Sequence, residues 1–387
     1  MDEKAVRALF ALLASALNNA PIGDAERCLI DGETVADAMR IAKRQDIVAL
    51  VVHALEENGL VPESGEIREI AERETMSSFV RYERSNYELH AVSRALEQAG
   101  IAHIPLKGSV LRDYYHEPWL RTSCDIDILV SVEELSSAVE CIVSTLGYTV
   151  GERGSHDVSM RSRSGVHLEL HFDLNERDYR RFDALDAVWD YATAREGKRY
   201  AMSMPDDLFY FYHISHMAKH FVNGGCGVRP FIDLWIMRHR EGFDLPGAER
   251  LLRDEGLYEF AVAAAELSEV WFSGADADER TSTMERYLLG GGVYGSVENR
   301  VHIQQAKRGG RFKYALSRIF LPYEQMKGRY PVLEKHKWLL PFMHVRRWLG
   351  IIFGGGFKRS VDELRTNSEA SSEEIDEMKL FLSKVGL

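Results

Sequence analysis

Six residues constrain this chain more than any other stretch. Asp125-Ile126-Asp127-Ile128-Leu129-Val130 alternates with a period of two, and a β-strand is the element that puts every second side chain on one face. Ile126, Ile128 and Val130 then share a buried face, and Asp125 and Asp127 share the other. Aspartate is disfavoured in strands, so two of them on one face call for a reason. Carboxylates at i and i+2 can share the pair of divalent ions, roughly 3.5–4 Å apart, that serves phosphoryl and nucleotidyl transfer. Hard oxygen ligands of this kind suit Mg²⁺ or Mn²⁺.

The neighbouring segments supply complementary parts. Ala102-His103-Ile104-Pro105-Leu106 reads as a short strand running into Lys107-Gly108-Ser109, and Val110 to Tyr115 as a restarting helix. The N–H groups of such a turn can receive a triphosphate, aided by the positive end of the helix dipole. Gly108 and Ser109 are therefore candidate phosphate ligands and Lys107 a candidate point charge. Downstream, Tyr148–Glu152 and His156–Arg161 are expected strands, followed by Val166–Phe172 with Val166, Leu168, Leu170 and Phe172 on its buried side. Glu169 stands on the opposite face, between His167 and His171, as the expected third carboxylate. Asp173 has the same parity and is its rival. Asp125, Asp127 and Glu169 are thus the expected metal ligands and catalytic residues.

The flanks read as helices. Leu9, Leu13 and Leu17 recur at helical spacing, as do Ile47, Leu50, Val51, Ala54 and Leu55 after Asp46, an expected N-cap. A longer helix is expected over Ser77–Gln98, with Leu89, Val92 and Leu96 on its stripe and Gly100 ending it. Ser131 with Glu134 forms a capping box before the stripe of Leu135, Val139, Ile142 and Leu146, which stops at Gly147. From Pro205 onward aromatic-rich helices take over, punctuated by glycine clusters at Gly224, Gly290 and Gly354, and an amphipathic helix closes the chain over Glu369–Leu387. The expected class is α+β: a core with a small mixed sheet over 77–200, between helical regions over 1–76 and 201–387.

Several side chains carry two readings. Arg121 presents a planar fork suited to phosphate oxygens, or is an ordinary charge, as Lys107 is too. His213, His216 and His220 share a helix face; His216 and His220 either line the nucleotide cleft or simply pack among Phe209, Phe211, Tyr212 and Phe221. Arg229 and Asp233 form a helical ion pair or face the same cleft. Tyr114, Tyr115 and Trp119 stack on a base or pack beside the core.

Composition narrows the partners. A net charge of −12 argues against a broad grip on long nucleic acid, and the best local basic patch is Lys307-Arg308-Gly309-Gly310-Arg311-Phe312-Lys313, which also fits a solvated loop. An RNA end would need only such a patch. Cys28, Cys124, Cys141 and Cys226 lie too far apart for a zinc knuckle or disulfide framework. With no signal-peptide pattern at Met1-Asp2-Glu3-Lys4 and no long apolar run, a cytoplasmic location without membrane association is expected.

Leu106-Lys107-Gly108-Ser109, Arg121, Asp125–Val130 and Glu169-Leu170-His171 together resemble the signature of a largely uncharacterised bacterial nucleotidyltransferase family in the polymerase-β-like superfamily. His216, His220 and Asp233 extend the likeness. The resemblance implies a polymerase-β-like sheet carrying the metal site, flanked by helices that select the recipient. It also implies metal-dependent transfer of a nucleoside monophosphate from a nucleoside triphosphate to a hydroxyl acceptor, with pyrophosphate released. The acceptor, whether small molecule, sugar phosphate, protein side chain or RNA end, stays open. One departure stands out: fifteen residues separate Ser109 from Asp125, more than the superfamily usually places there. The alternative is a catalytically silent nucleotide-binding module, regulatory or part of a toxin–antitoxin pair.

Overall fold

A computed structural model describes residues 2–175, 179–292, 295, 299, 301, 303, 305, 319–330, 332–353 and 372–387. The segments 307–313 and 354–356 singled out above lie outside the described residues. Four helices open the chain: α1 (Glu3–Asn18), α2 (Asp24–Arg27), α3 (Gly32–Gln45) and α4 (Val48–Glu57). Asp46 does not cap α4. It takes the left-handed conformation, φ 52°, that terminates α3, and its N–H bonds back to Ala42 and Lys43.

The next helix, α5 (Glu66–Ala99), starts at Glu66, well before Ser77. Its first turns are rich in Glu and Arg and carry little apolar stripe, but those residues are good helix formers. Gly100, φ 74°, ends it as expected. Strand β1 (His103–Leu106) leads into α6 (Gly108–Leu111), which tightens into a 3-10 turn over Arg112–Tyr114 in place of the expected helix to Tyr115. Tyr115 is extended, and a second 3-10 turn at Pro118–Leu120 carries the chain to β2 (Asp125–Val130).

Helix α7 (Leu135–Leu146) follows, then β3 (Thr149–Arg153), β4 (Asp157–Arg161) and β5 (His167–His171). The expected capping box is only half made: the Glu134 N–H donates to Ser131 Oγ at 3.2 Å, but Glu134 Oε2 accepts from the Ser131 hydroxyl, at 3.4 Å, and not from its backbone N–H, and the pair lies ahead of the helix body. Five strands form one mixed sheet in the order β1-β2-β5-β4-β3, in which β2 and β5 are parallel and the other neighbours antiparallel. Short helices α8 (Asp183–Asp186) and α9 (Val188–Tyr191) and the two-stranded ribbon β6 (Thr193–Ala194) and β7 (Met202–Ser203) come next. The chain then runs through α10 (Asp206–Phe221), α11 (Arg229–His239), α12 (Leu245–Asp254), α13 (Tyr258–Phe272) and α14 (Glu279–Gly290), with later helices at Tyr323–Arg329, Leu340–Phe353 and Ser372–Lys384 among others.

The protein is thus α+β and mostly helical, around a five-stranded mixed sheet. The two sheet faces meet different cores. Ile126, Ile128, Val130, Leu168 and Leu170 pack with Leu89, Val92 and Leu96 of α5 and Leu135, Ala138 and Ile142 of α7. Each of these Val, Leu and Ile side chains stabilises the fold by about 1.5–3 kcal/mol. On the other face Leu129 joins the larger core built by α1, α3, α4, α10, α11 and α13. The register sets Asp125 opposite His167, Asp127 opposite Glu169 and Leu129 opposite His171, so that second face carries acids and imidazoles at the edge of an apolar layer. No helix among the described residues is long and apolar enough to cross a membrane.

Candidate functional site

The site begins where β1 ends. Lys107 has φ 42° and ψ −122°, a region that favours glycine and costs a lysine of order 1–3 kcal/mol. That turn points its ammonium at β2: Nζ donates to Asp127 Oδ1 at 2.9 Å. Gly108 follows, where a larger residue would press on the Arg121 guanidinium. A Cβ there would lie 2.5 Å from Arg121 Nη1 and 3.0 Å from Ser123 Oγ. The Lys107 carbonyl accepts from the Val110 and Leu111 N–H groups and closes the turn. Ser109 is buried, and its hydroxyl accepts from the Asp127 N–H at 3.3 Å. Its side chain therefore pins the turn to β2, which leaves its backbone as the part that can meet a phosphate.

Asp127 is almost wholly buried. Burial opposes its charge, but the Lys107 ammonium and a bond from His171 Nε2, at 2.9 Å to the same Oδ1, outweigh that and hold it well below the usual carboxylate range. Asp125 is half-buried, and burial together with the charge of Asp127 pushes it up, while a 2.9 Å bond from Ser123 Oγ pulls the other way. Glu169 is held down chiefly by His171, whose Nε2 lies 3.6 Å from Oε2. His171 itself is pushed down by burial and by Lys107 but raised on balance by Asp127 and Glu169. Among the described residues, two groups of side chains hold potential ligand atoms within 4.8 Å of one another: Asp125, His167 and Glu169, and Asp127, Glu169 and His171. Both contain Glu169. Asp173 is in neither; it accepts from the Asn175 N–H at 2.8 Å and from Arg181 Nη1 at 3.2 Å, in a local turn beyond β5.

The long segment between Ser109 and Asp125 is tied down by ions. Arg121 donates from Nε and Nη2 to the two oxygens of Asp233, at 2.8 and 2.7 Å, and Tyr115 Oη donates to Asp233 Oδ1 at 2.8 Å. Arg121 thus sits against the Gly108 turn with most of its fork committed to α11. Arg229 reaches Asp46 Oδ2 at 2.7 Å and the Thr122 carbonyl at 2.9 Å. The i,i+4 pairing of Arg229 with Asp233 is not made, because each finds a partner far along the chain. Of the three aromatic side chains singled out in the insert, Tyr114 lies under Arg240, Tyr115 is buried on Asp233 and Trp119 meets His53 edge to face.

Helix α10 brings His216 within electrostatic reach of Lys107. His213 donates from Nε2 to the Pro230 carbonyl at 2.9 Å. His216 and His220 meet through their Nε2 atoms at 3.1 Å, and burial, with His220 and Lys107 nearby, holds His216 well below its usual value. His216 also lines a narrow cleft with Asn175, Arg180, Tyr212 and Lys219.

The model of an uncharacterised nucleotidyltransferase family matches residues 31–273, well over half of the chain. The chain belongs to that family. The match runs from α3 through α13 and so contains every residue of the site just described. No curated protein and no solved structure matches the chain.

Sequence reasoning passed over three contributors. His167 and His171 have the parity of Glu169, so strand alternation alone marked them for the same face. Ser159, on β4 opposite Glu169, carried no signal of its own.

Proposed function

We propose that this family member is a metal-dependent nucleotidyltransferase with a polymerase-β-like core, which moves a nucleoside monophosphate from a nucleoside triphosphate to a hydroxyl acceptor. The acceptor oxygen forms a bond to the α-phosphorus, the bond from that phosphorus to the bridging oxygen breaks, and pyrophosphate leaves. The observation that carries this reading is the convergence of Asp125, Asp127 and Glu169 on one sheet face, with Lys107 at the head of the Gly108 turn. Three carboxylates beside one ammonium leave a surplus of anionic oxygen, a donor set that fits a divalent cation. Held by Asp125, Asp127 and Glu169, such an ion supplies charge that neutralises the triphosphate.

The other roles belong to the chain. The N–H groups of Gly108 and Ser109 hold the β- and γ-phosphates, and the Lys107 ammonium steadies charge that develops on the transferred group. Glu169 is 27 % exposed and so open to the acceptor, whose proton it takes. Arg121, with two of its nitrogens on Asp233, adds positive charge behind the turn. His216, which burial holds well below its usual value, and His220 offer hydrogen bonds to the nucleoside from α10. The net charge of −12 favours a small molecule, sugar phosphate or protein hydroxyl over a long nucleic acid, and a compact RNA end needs only a local patch.

The test is pyrophosphate release from each nucleoside triphosphate with Mg²⁺ or Mn²⁺, using cell extract as the source of acceptors. Release that needs the metal and is lost in Asp127→Ala is expected. Tight triphosphate binding with no release under any acceptor would instead favour the silent nucleotide-binding module.

A further inference from the structure

Three carboxylates do not account for the two histidines that flank Glu169 on the same face. The two imidazoles are held differently. His171 is buried, and its Nε2 is already engaged by Asp127 Oδ1 at 2.9 Å. The same oxygen receives Lys107 at 2.9 Å. The group of Asp127, Glu169 and His171 is thus internally compensated: an ammonium and an imidazole meet one carboxylate oxygen. His171 acts there as an orienting partner.

His167 is different. Its Nε2 lies 2.7 Å from Ser159 Oγ on the neighbouring strand. In the tautomer where Nε2–H donates to that hydroxyl, the Nδ1 lone pair is left facing the carboxylates. Nδ1 is 4.0 Å from Glu169 Oε1, too far for a hydrogen bond. The ligand atoms of Asp125, His167 and Glu169 all lie within 4.8 Å of one another, so small side-chain rotations would bring all three onto one ion. The backbone sets this up, because the parallel register puts His167 directly opposite Asp125 and the antiparallel one puts Ser159 opposite Glu169. A histidine whose far nitrogen is hydrogen-bonded so that the near one faces two carboxylates is the usual arrangement of a metal-bound imidazole.

We propose that Asp125, His167 and Glu169 form a divalent-cation site with one nitrogen ligand, selective for Mn²⁺ or Co²⁺ over Mg²⁺, and that Ser159 is the residue that positions His167. The proposal rests on the metal-dependent reading above and assigns one ion of that site. Nitrogen donors raise affinity along the first-row transition metals, whereas Mg²⁺ keeps to oxygen and water. The cation enters beside Asp125, where no lysine or arginine of the site is hydrogen-bonded to the acid, and the Lys107 ammonium stays on Asp127.

The experiment is Mn²⁺ titration of the full chain, read by electron paramagnetic resonance with detection of ¹⁴N coupling. Wild type is expected to bind Mn²⁺ more tightly than Mg²⁺ and to show one coupled nitrogen. His167→Ala and His167→Gln should both lose the coupling and weaken Mn²⁺ by about tenfold or more, with little change for Mg²⁺. Ser159→Ala should keep the coupling and lose part of the affinity. Mn²⁺ that binds through Asp125 without nitrogen coupling, or coupling that survives in both His167 variants, overturns the proposal and leaves the nucleotidyltransferase reading standing. No divalent binding sensitive to Asp125→Asn overturns both.

Discussion

Two buried carboxylates, Asp233 and Asp127, lie within one region of the fold and are treated in opposite ways. Their side chains are 2 % and 3 % exposed, so each must be compensated. Asp233 is closed off: Arg121 takes both oxygens in a planar fork and Tyr115 adds a third bond. Asp127 has two donors on a single oxygen, one of them a lysine whose side chain is 23 % exposed, and has Asp125 and Glu169 as anionic neighbours. The first arrangement uses up its acceptors and fastens the insert to α11. The second keeps acceptors in reserve and tolerates like charges side by side. Repulsion stored beside a satisfied ion pair is the contrast on which the proposed ligand site rests.

The largest expected effect breaks the closed cluster. Arg121→Met leaves Asp233 buried without its cation and should cost about 3–5 kcal/mol in denaturant unfolding. Adding Asp233→Asn should restore a large part of that loss. Asp127→Asn probes the other cluster. It keeps both hydrogen-bonding neighbours and relieves repulsion from Asp125, but it takes the counter-charge away from Lys107 and His171, so its melting temperature should fall, by less than that of Arg121→Met. Since changing even an outer partner of a metal ligand costs about 10–100-fold, pyrophosphate release in this variant should fall by more than about a hundredfold.

Acid titration sharpens the contrast further. Burial opposes the Asp233 charge, but Arg121 outweighs it and lowers the folded-state pKa below the ordinary value of 3.8. The stability this contributes is complete above pH 3.8 and is lost as pH falls through the lower folded value. The Arg121→Met, Asp233→Asn double variant should therefore show a shallower acid limb below about pH 4 in its unfolding curve. The smallest effect concerns the backbone under Lys107. Since φ 42° suits glycine, Lys107→Gly should be more stable than Lys107→Ala by roughly 1 kcal/mol, with both losing the ammonium.

Much of this is legible in the order of the amino acids. The strand Asp125–Val130 has the bounds that its alternation predicts, because a two-residue period over six residues admits one element. The same period carries Glu169, with its flanking histidines, onto the matching face. What escapes is either dominated by charged residues or distant in sequence. The first turns of α5 carry only the short stripe of Ile67, Ile70 and Ala71 among charged residues, and Asp46 offers the same side chain to either end of a helix. Asp233 meets Arg121 and Asp46 meets Arg229 across long stretches of chain, so spacing along α11 points to a pairing that tertiary contacts replace. Tyr115, Trp119 and Ser159 likewise owe their roles to neighbours that no local pattern names.

The central claim is that Asp125, Asp127 and Glu169 hold a metal against a nucleoside triphosphate. Calorimetric titration of triphosphates into the full chain, with and without divalent metal, tests it most directly when run on wild type, Asp125→Ala, Asp127→Ala, Glu169→Gln and Asp173→Asn. The account predicts metal-dependent binding that both aspartate variants abolish, that Glu169→Gln weakens and that Asp173→Asn leaves intact. Binding that persists without metal, or that survives in Asp125→Ala and Asp127→Ala, would contradict it.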